Sequence, residues 1–314
     1  MLAGMSAAFP ETEVVRDGDV LCGPNRRPRQ MLAEQTYDGH ASVHDESIAG
    51  DLGLSGAPIE GPTHFSQFDP LAFELWGERW FAEGCMSAHF QTMVVEGESV
   101  TATVTQSADN NLARIDAAKA DGTPVLTGTV SVGDAGPTEL DERLTKMRER
   151  DAGELFIVDQ VEVGLRTTVD GPICVDADTP NGHLYPFSLA QKLDAITEPS
   201  PWYAADHTPW GGSILPFEMY SVLTNQVGNS LPVRGPAVGL FIDLEVRAHG
   251  RPLMVGQEYR LEREVVAVGQ SRKVESHWVR TTVSDASSGE LAATVLLHSG
   301  VFKASYAGYP ADRL

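Results

Sequence analysis

Between short glycine-marked turns, much of the chain alternates apolar and polar residues with a period of two, rich in Val, Thr and Leu. This is the pattern of antiparallel strands with one covered face. The alternation comes in two similar blocks. Val95-Glu96-Gly97-Glu98-Ser99-Val100 launches one run and Val255-Gly256-Gln257-Glu258-Tyr259 launches another. Further on, Asp121-Gly122-Thr123-Pro124 leads into a run closing at Gly133, and Ser288-Gly289-Glu290 into one closing at Gly300. The step from Gly122 to Gly133 equals that from Gly289 to Gly300, so the chain reads as a weak twofold repeat.

A sheet with one apolar face needs a cover, and each block is preceded by an apolar segment of helical character: Pro62 to Trp76, and Pro216 to Gln226. Phe65, Phe68, Ala72, Leu75 and Trp76 recur at three- and four-residue steps and so share one side. Asp69-Pro70 interrupts the first segment, which leaves a kink or a second helix capped by Asp69 with Pro70 in its first turn. Charged residues between bounding glycines, 136–153, suit a connector with helical potential. Ser188-Leu-Ala-Gln-Lys-Leu-Asp suits another helix. The expected organisation is an N-terminal half at 1–135, the connector at 136–153 and a C-terminal half at 154–314. The sheets would lie edge to edge, with a ligand tunnel where the helices meet.

Composition narrows the function. The chain has 314 residues, 42% of them hydrophobic, enough for a core in each half. No stretch approaches the roughly 18 apolar residues of a membrane span, and the N-terminus lacks the basic and apolar regions of a secretory signal, so the cytoplasm is the expected compartment. Cys22, Cys85 and Cys174 form neither a disulfide framework nor a zinc pattern and are expected as free, partly buried thiols. The net charge of −21 argues against nucleic acid and anionic membranes as partners. The dense basic stretch Arg26-Arg27-Pro28-Arg29 is expected to be a solvated loop rather than a phosphate clamp. His40 and His44 stand four apart, but Ala41 replaces the Glu of a zincin helix, so no metal is expected. Nucleophile-elbow, P-loop and dinucleotide motifs are absent.

One stretch carries candidate chemistry: Tyr37-Asp38-Gly39-His40-Ala41-Ser42-Val43-His44, Ala49, Leu52-Gly53-Leu54, and Pro58-Ile59-Glu60-Gly61-Pro62-Thr63-His64. With the order of strands and helices, it resembles the hotdog superfamily, specifically the double-hotdog arrangement of MaoC-like hydratases and dehydratases. In that family an Asp-x-Asn-Pro-Leu-His run, an Ala, a Gly-Phe and a His-Gly lead into the central helix. Here His44 is displaced by one position, Asn-Pro is absent, and Glu60 stands at the usual His. The resemblance implies an α+β tandem hotdog, with long antiparallel sheets each wrapping a central helix. It implies a lyase that adds or removes water beside an activated carbonyl, with no cofactor and a small-molecule substrate that includes CoA thioesters.

On this reading Asp38 and His44 are the acid–base pair, and the N–H of Gly61, or of Thr63, steadies the developing oxyanion. Glu60, Thr63 and His64 line the substrate site, Glu60 as a candidate replacement for the missing His. Trp210 and Gly212 form a pocket wall, with Asp206 a turn or cap residue. Each has an ordinary rival: Asp38-Gly39 is also a turn, His44 an exposed polar residue, Glu60 a helix N-terminal charge. Two other functions stay open. One is a hotdog thioesterase with Asp38, Glu60 or Asp206 as base. The other is a lyase or binding protein for a neutral, non-CoA aromatic or terpenoid ligand. A monomer or a homodimer is expected, since two hotdogs in one chain already make a pseudo-dimer.

Overall fold

The computed structural model describes residues 7–314 except 38 and 229, so Asp38 lies outside the described residues. The first half runs β1 (Val15–Asp17), β2 (Val20–Cys22), α1 (Glu46–Asp51), a 3-10 helix (Gly61–Phe68), α2 (Asp69–Trp76), α3 (Glu78–Glu83), β3 (Gly84–Phe90), β4 (Val100–Gln106), β5 (Leu112–Lys119) and β6 (Pro124–Val132). After α4 (Glu139–Arg148), the second half contains β7 (Arg166–Thr168), α5 (Leu189–Ala195), α6 (Glu218–Asn225), β8 (Gly239–Ala248), β9 (Tyr259–Gln270), β10 (Val274–Asp285) and β11 (Leu291–Phe302).

All strands join one antiparallel sheet in the order β1-β2-β4-β5-β6-β3-β8-β11-β10-β9-β7. Outward from the centre, β3-β6-β5-β4 repeats as β8-β11-β10-β9, and the strand launched after Gly97 (β4) corresponds to that launched after Gly256 (β9). The halves meet edge to edge through β3 and β8, with Cys85 opposite Arg247 and His89 opposite Asp243. Alternate residues of β4 and β5 are buried, as their period-two pattern requires.

The interruption at Asp69-Pro70 resolves as two helices, and Pro70 does sit in the first turn of α2. Asp69 is not the cap. Its fully buried carboxyl accepts from Trp80 Nε1 at 2.9 Å and Tyr203 OH at 3.0 Å. Gly77, at φ 58°, turns the chain from α2 into α3, a conformation open to glycine at little cost. The connector forms α4 behind a Thr138–Asp141 capping box, and Ser188 with Gln191 caps α5 in the same way.

Two contacts bolt the halves together. Trp80 of α3 stacks on Phe217, just before α6, with centroids 4.5 Å apart, within an aromatic cluster that includes Phe81, Trp202 and Trp210; such pairs add about 0.5–1.5 kcal/mol each beyond the area they bury. On the opposite sheet face, buried Asp243 of β8 lies 2.7 Å from His89 of β3, 2.5 Å from His298 of β11 and 2.8 Å from Arg143 of α4. Burial opposes the Asp243 charge, but the His298 and His89 bonds prevail and hold its carboxyl down at about 2.

Arg26 departs from the solvated-loop expectation: it pairs in two hydrogen bonds with buried Glu198, at 2.7 and 2.9 Å, while Arg27 and Arg29 are exposed. The cysteines are free, Cys85 buried and the others half-buried. Among the described residues no helix is long and apolar enough to cross a membrane, and no group of His, Cys, Asp and Glu is arranged to hold a metal ion.

Candidate active site

A cavity of about 520 Å³ lies between the start of the 3-10 helix and the inner face of the second half's strands. The loop before α1 is fixed first. Ala41 bridges Val238 of the other half, Ser42 donates to Gln35 Oε1 at 2.7 Å, and Gln35 donates to the Leu184 carbonyl at 2.9 Å. His44 N–H then donates to Ser42 Oγ at 3.1 Å, and Asp45 caps α1.

This places His44 on the cavity wall with Nδ1 2.7 Å from the Pro58 carbonyl. A carbonyl can only accept, so Nδ1 carries the proton and the lone pair resides on Nε2. Burial lowers the His44 pKa, against a smaller opposing effect of the Pro58 bond. The ring is therefore neutral at pH 7. Two residues beyond Pro58, in extended backbone, stands Glu60, so their Cα atoms are about 7 Å apart.

Glu60 also lines the cavity and is 7% exposed. Its Oε1 accepts from Tyr185 OH at 3.1 Å. Burial pushes its pKa up to about 7; Lys192 and the Tyr185 bond pull it back, and the charge of Glu218 adds to the rise. Glu60 occupies the N-cap position of the 3-10 helix, and its side chain makes no capping bond there. Lys192 Nζ lies 2.9 Å from Glu218 and donates to Thr63 Oγ1 at 3.1 Å, all three side chains being buried.

Gly61 opens the 3-10 helix, so its N–H is among those a helix start leaves without an intrahelical acceptor. A Cβ here would fall 2.9 Å from the Phe90 ring; glycine lets the main chain press against β3 at the cavity. The Thr63 N–H is already engaged, donating to the Glu60 carbonyl at 3.1 Å, and Thr63 is not part of the lining. His64 does line the cavity, and burial lowers its pKa to about 4, so it too is neutral.

The structure does not bring Trp210 or Gly212 to this cavity. Trp210 packs on Phe81 and Trp202, and Gly212 faces Met254. Both stand beyond the first half's helices, where the aromatic cluster fills the space. Asp206 and His207 are exposed and also outside the lining. Tyr185 and Lys192, which the sequence reading missed, arrive on a second-half segment that folds back over the first half's helix. This segment is also tied down by Thr197 to Ser66 at 3.1 Å and by Glu198 to Thr12 at 2.6 Å. For Lys192 the available signal was its partner, Glu218, the lone charge of the otherwise uncharged α6; Tyr185 had none.

No family model matches the sequence, and no curated protein does. Solved structures do match in shape. A MaoC-domain dehydratase protein from Chloroflexus aurantiacus J-10-fl superposes at TM-score 0.58 with 13% identity, over 95% of this chain and 97% of that one. A conserved hypothetical protein from Mycobacterium tuberculosis, described as having a double hotdog fold, matches at TM-score 0.51 with 11% identity, over 83% of this chain and 87% of that one. At these identities the likeness is one of fold, and it establishes that the chain is a double-hotdog protein with a MaoC-domain dehydratase among its structural neighbours.

Proposed function

We propose that the protein is a hydro-lyase that removes or adds water beside an activated carbonyl. The observation that carries the reading is the pairing, on one cavity wall, of a neutral His44 whose proton is fixed on Nδ1 with a Glu60 whose pKa lies near 7. The two groups differ in the proton they hold at neutral pH, which is what acid–base chemistry needs. In the dehydration direction His44 Nε2 takes the proton from the α-carbon, and the C–H electron pair forms the new double bond. The bond from the β-carbon to oxygen breaks, and the departing hydroxyl takes the Glu60 proton to leave as water. The carbonyl oxygen gains charge in the transition state and is met by the Gly61 N–H. Hydration is the reverse. Asp38, outside the described residues, remains a proposed partner of His44.

The lining contains neither Lys nor Arg, and the whole chain is acidic. This supports an uncharged group in the cavity: the acyl part of a thioester with its anionic carrier outside, or, as the second reading, a wholly neutral substrate. The test is incubation with 2-enoyl and saturated acyl-CoA. Loss of enoyl absorbance without thiol release is expected, and His44→Gln or Glu60→Gln should each slow it by about 10²–10⁴ at unchanged unfolding temperature. Thiol release from the saturated thioester would replace the lyase by a hydrolase, and full turnover in both variants would remove these two residues from the chemistry.

A further inference from the structure

The cavity extends well past the Glu60 end. Its sheet wall crosses from β3 over β8 and β11 to β10: His89 faces Asp243, two residues along β8 Phe241 faces Ser299 across a register shift, and Ser299 faces His277. Three strand spacings separate β3, where Phe90 meets Gly61, from β10, a distance of about 14 Å. Most of this far wall is apolar, with Leu240, Phe241, Leu297 and Val301, but His277 and Ser299 break it side by side.

His277 is 3% exposed, and neither of its ring nitrogens has a hydrogen-bond partner among the described residues. An orphaned buried imidazole is costly and calls for an explanation. Its neighbour Trp278 stacks on His298 beneath α4, so alternation along β10 directs His277 to the cavity side. Register shifts flank the pair, at His298/Ser299 on the β8 side and Trp278/Val279 on the β9 side. Bulges of this kind re-aim side chains beside sites.

We propose that His277 and Ser299 form a second polar subsite, which receives an uncharged oxygen function, a hydroxyl or a ketone, carried on the substrate's chain about 14 Å from the reacting end. As a substrate class this is an oxygenated acyl chain rather than a plain alkyl one. The inference rests on the lyase reading for the position of the reacting end, but the subsite itself rests on the cavity. Burial holds the His277 pKa at about 4, so the ring offers one donor and one acceptor and no charge. That matches a hydroxyl and disfavours a carboxylate.

Two measurements test it separately. The first compares turnover of 3-hydroxydodecanoyl-CoA with that of its analogue bearing a terminal hydroxyl. Wild type should favour the oxygenated chain in kcat/KM by at least about tenfold, since a site that hydrogen-bonds a hydroxyl discriminates against its absence. His277→Leu and Ser299→Ala should each erase most of that preference. His277→Leu removes an unsatisfied buried polar ring for an apolar side chain, so it should fold with unchanged or higher thermal stability.

The second measurement uses no turnover: decanediol should raise the melting temperature more than decanol in wild type, and no more than decanol in the variants. A diol preference without thioester turnover would keep the subsite and discard the lyase reading. Turnover with no distal preference, or a preference that survives both substitutions, would overturn the subsite, as would the absence of both turnover and diol preference.

Discussion

Replacing Lys192 by Met isolates the electrostatics of the site. The ammonium lies 2.9 Å from Glu218, and the side chains are 3% and 1% exposed. Removing one partner of such a buried pair leaves an uncompensated charge, at a cost of about 3–5 kcal/mol. The pH dependence follows from the Glu218 carboxyl. Burial raises its pKa, with Lys192 and Ser66 pulling it back, so without Lys192 it rises further. A carboxyl raised in the folded state binds more protons folded than unfolded. Its favourable contribution is complete below the unfolded pKa and is lost as pH rises through the folded one. In urea unfolding, the deficit of Lys192→Met should therefore be small at pH 5 and approach the full value at pH 8. Adding Glu218→Gln should restore a large part of it. A deficit below about 1 kcal/mol at pH 8, far under the penalty for a broken buried pair, would refute the reasoning, as would one independent of pH or a double variant weaker than the single. The same substitution removes the charge that lowers the Glu60 pKa, so any pH limit set by Glu60 should move to higher pH.

Gly61→Ala drives a Cβ against the Phe90 ring and should destabilise by about 1–3 kcal/mol, with Phe90→Leu recovering much of the loss; an unaffected single variant would show the contact to be slack. Asp69, whose pKa burial pushes up to about 8 against the bonds from Trp80 and Tyr203, should cost the wild type stability as pH rises from 4 towards 8. Asp69→Asn should flatten that slope while folding normally, and an identical slope in calorimetry would place the proton elsewhere.

The strands and the repeat were legible because each strand sits on a covered sheet face, and burial on one face writes itself as alternation. The two glycine-launched pairs mark β4 and β9, β6 and β11, the equivalent strands of the two halves. Glu60, Gly61 and His64 were legible because local chain order places them at a helix start. Trp210 was misplaced because an aromatic in a glycine-rich loop reads alike as pocket wall or core, and only the partners Phe81 and Trp202 decide. Asp69 has the residue type of a cap but the surroundings of a core, set by Tyr203 far along the chain. Tyr185 and His277 join the cavity, and Lys192 joins Glu218 and Thr63 beside it, through contacts between distant segments, which no local spacing encodes.

A structure with an unreactive 3-hydroxyacyl thioester analogue bound is the most direct measurement. The hydroxyl is expected within hydrogen-bond reach of the Glu60 carboxyl, the α-carbon facing His44 Nε2, the carbonyl oxygen on the Gly61 N–H, and the chain running towards β10. An analogue seated in another part of the protein, or in the cavity with its reacting carbons away from His44 and Glu60, would contradict the lyase reading.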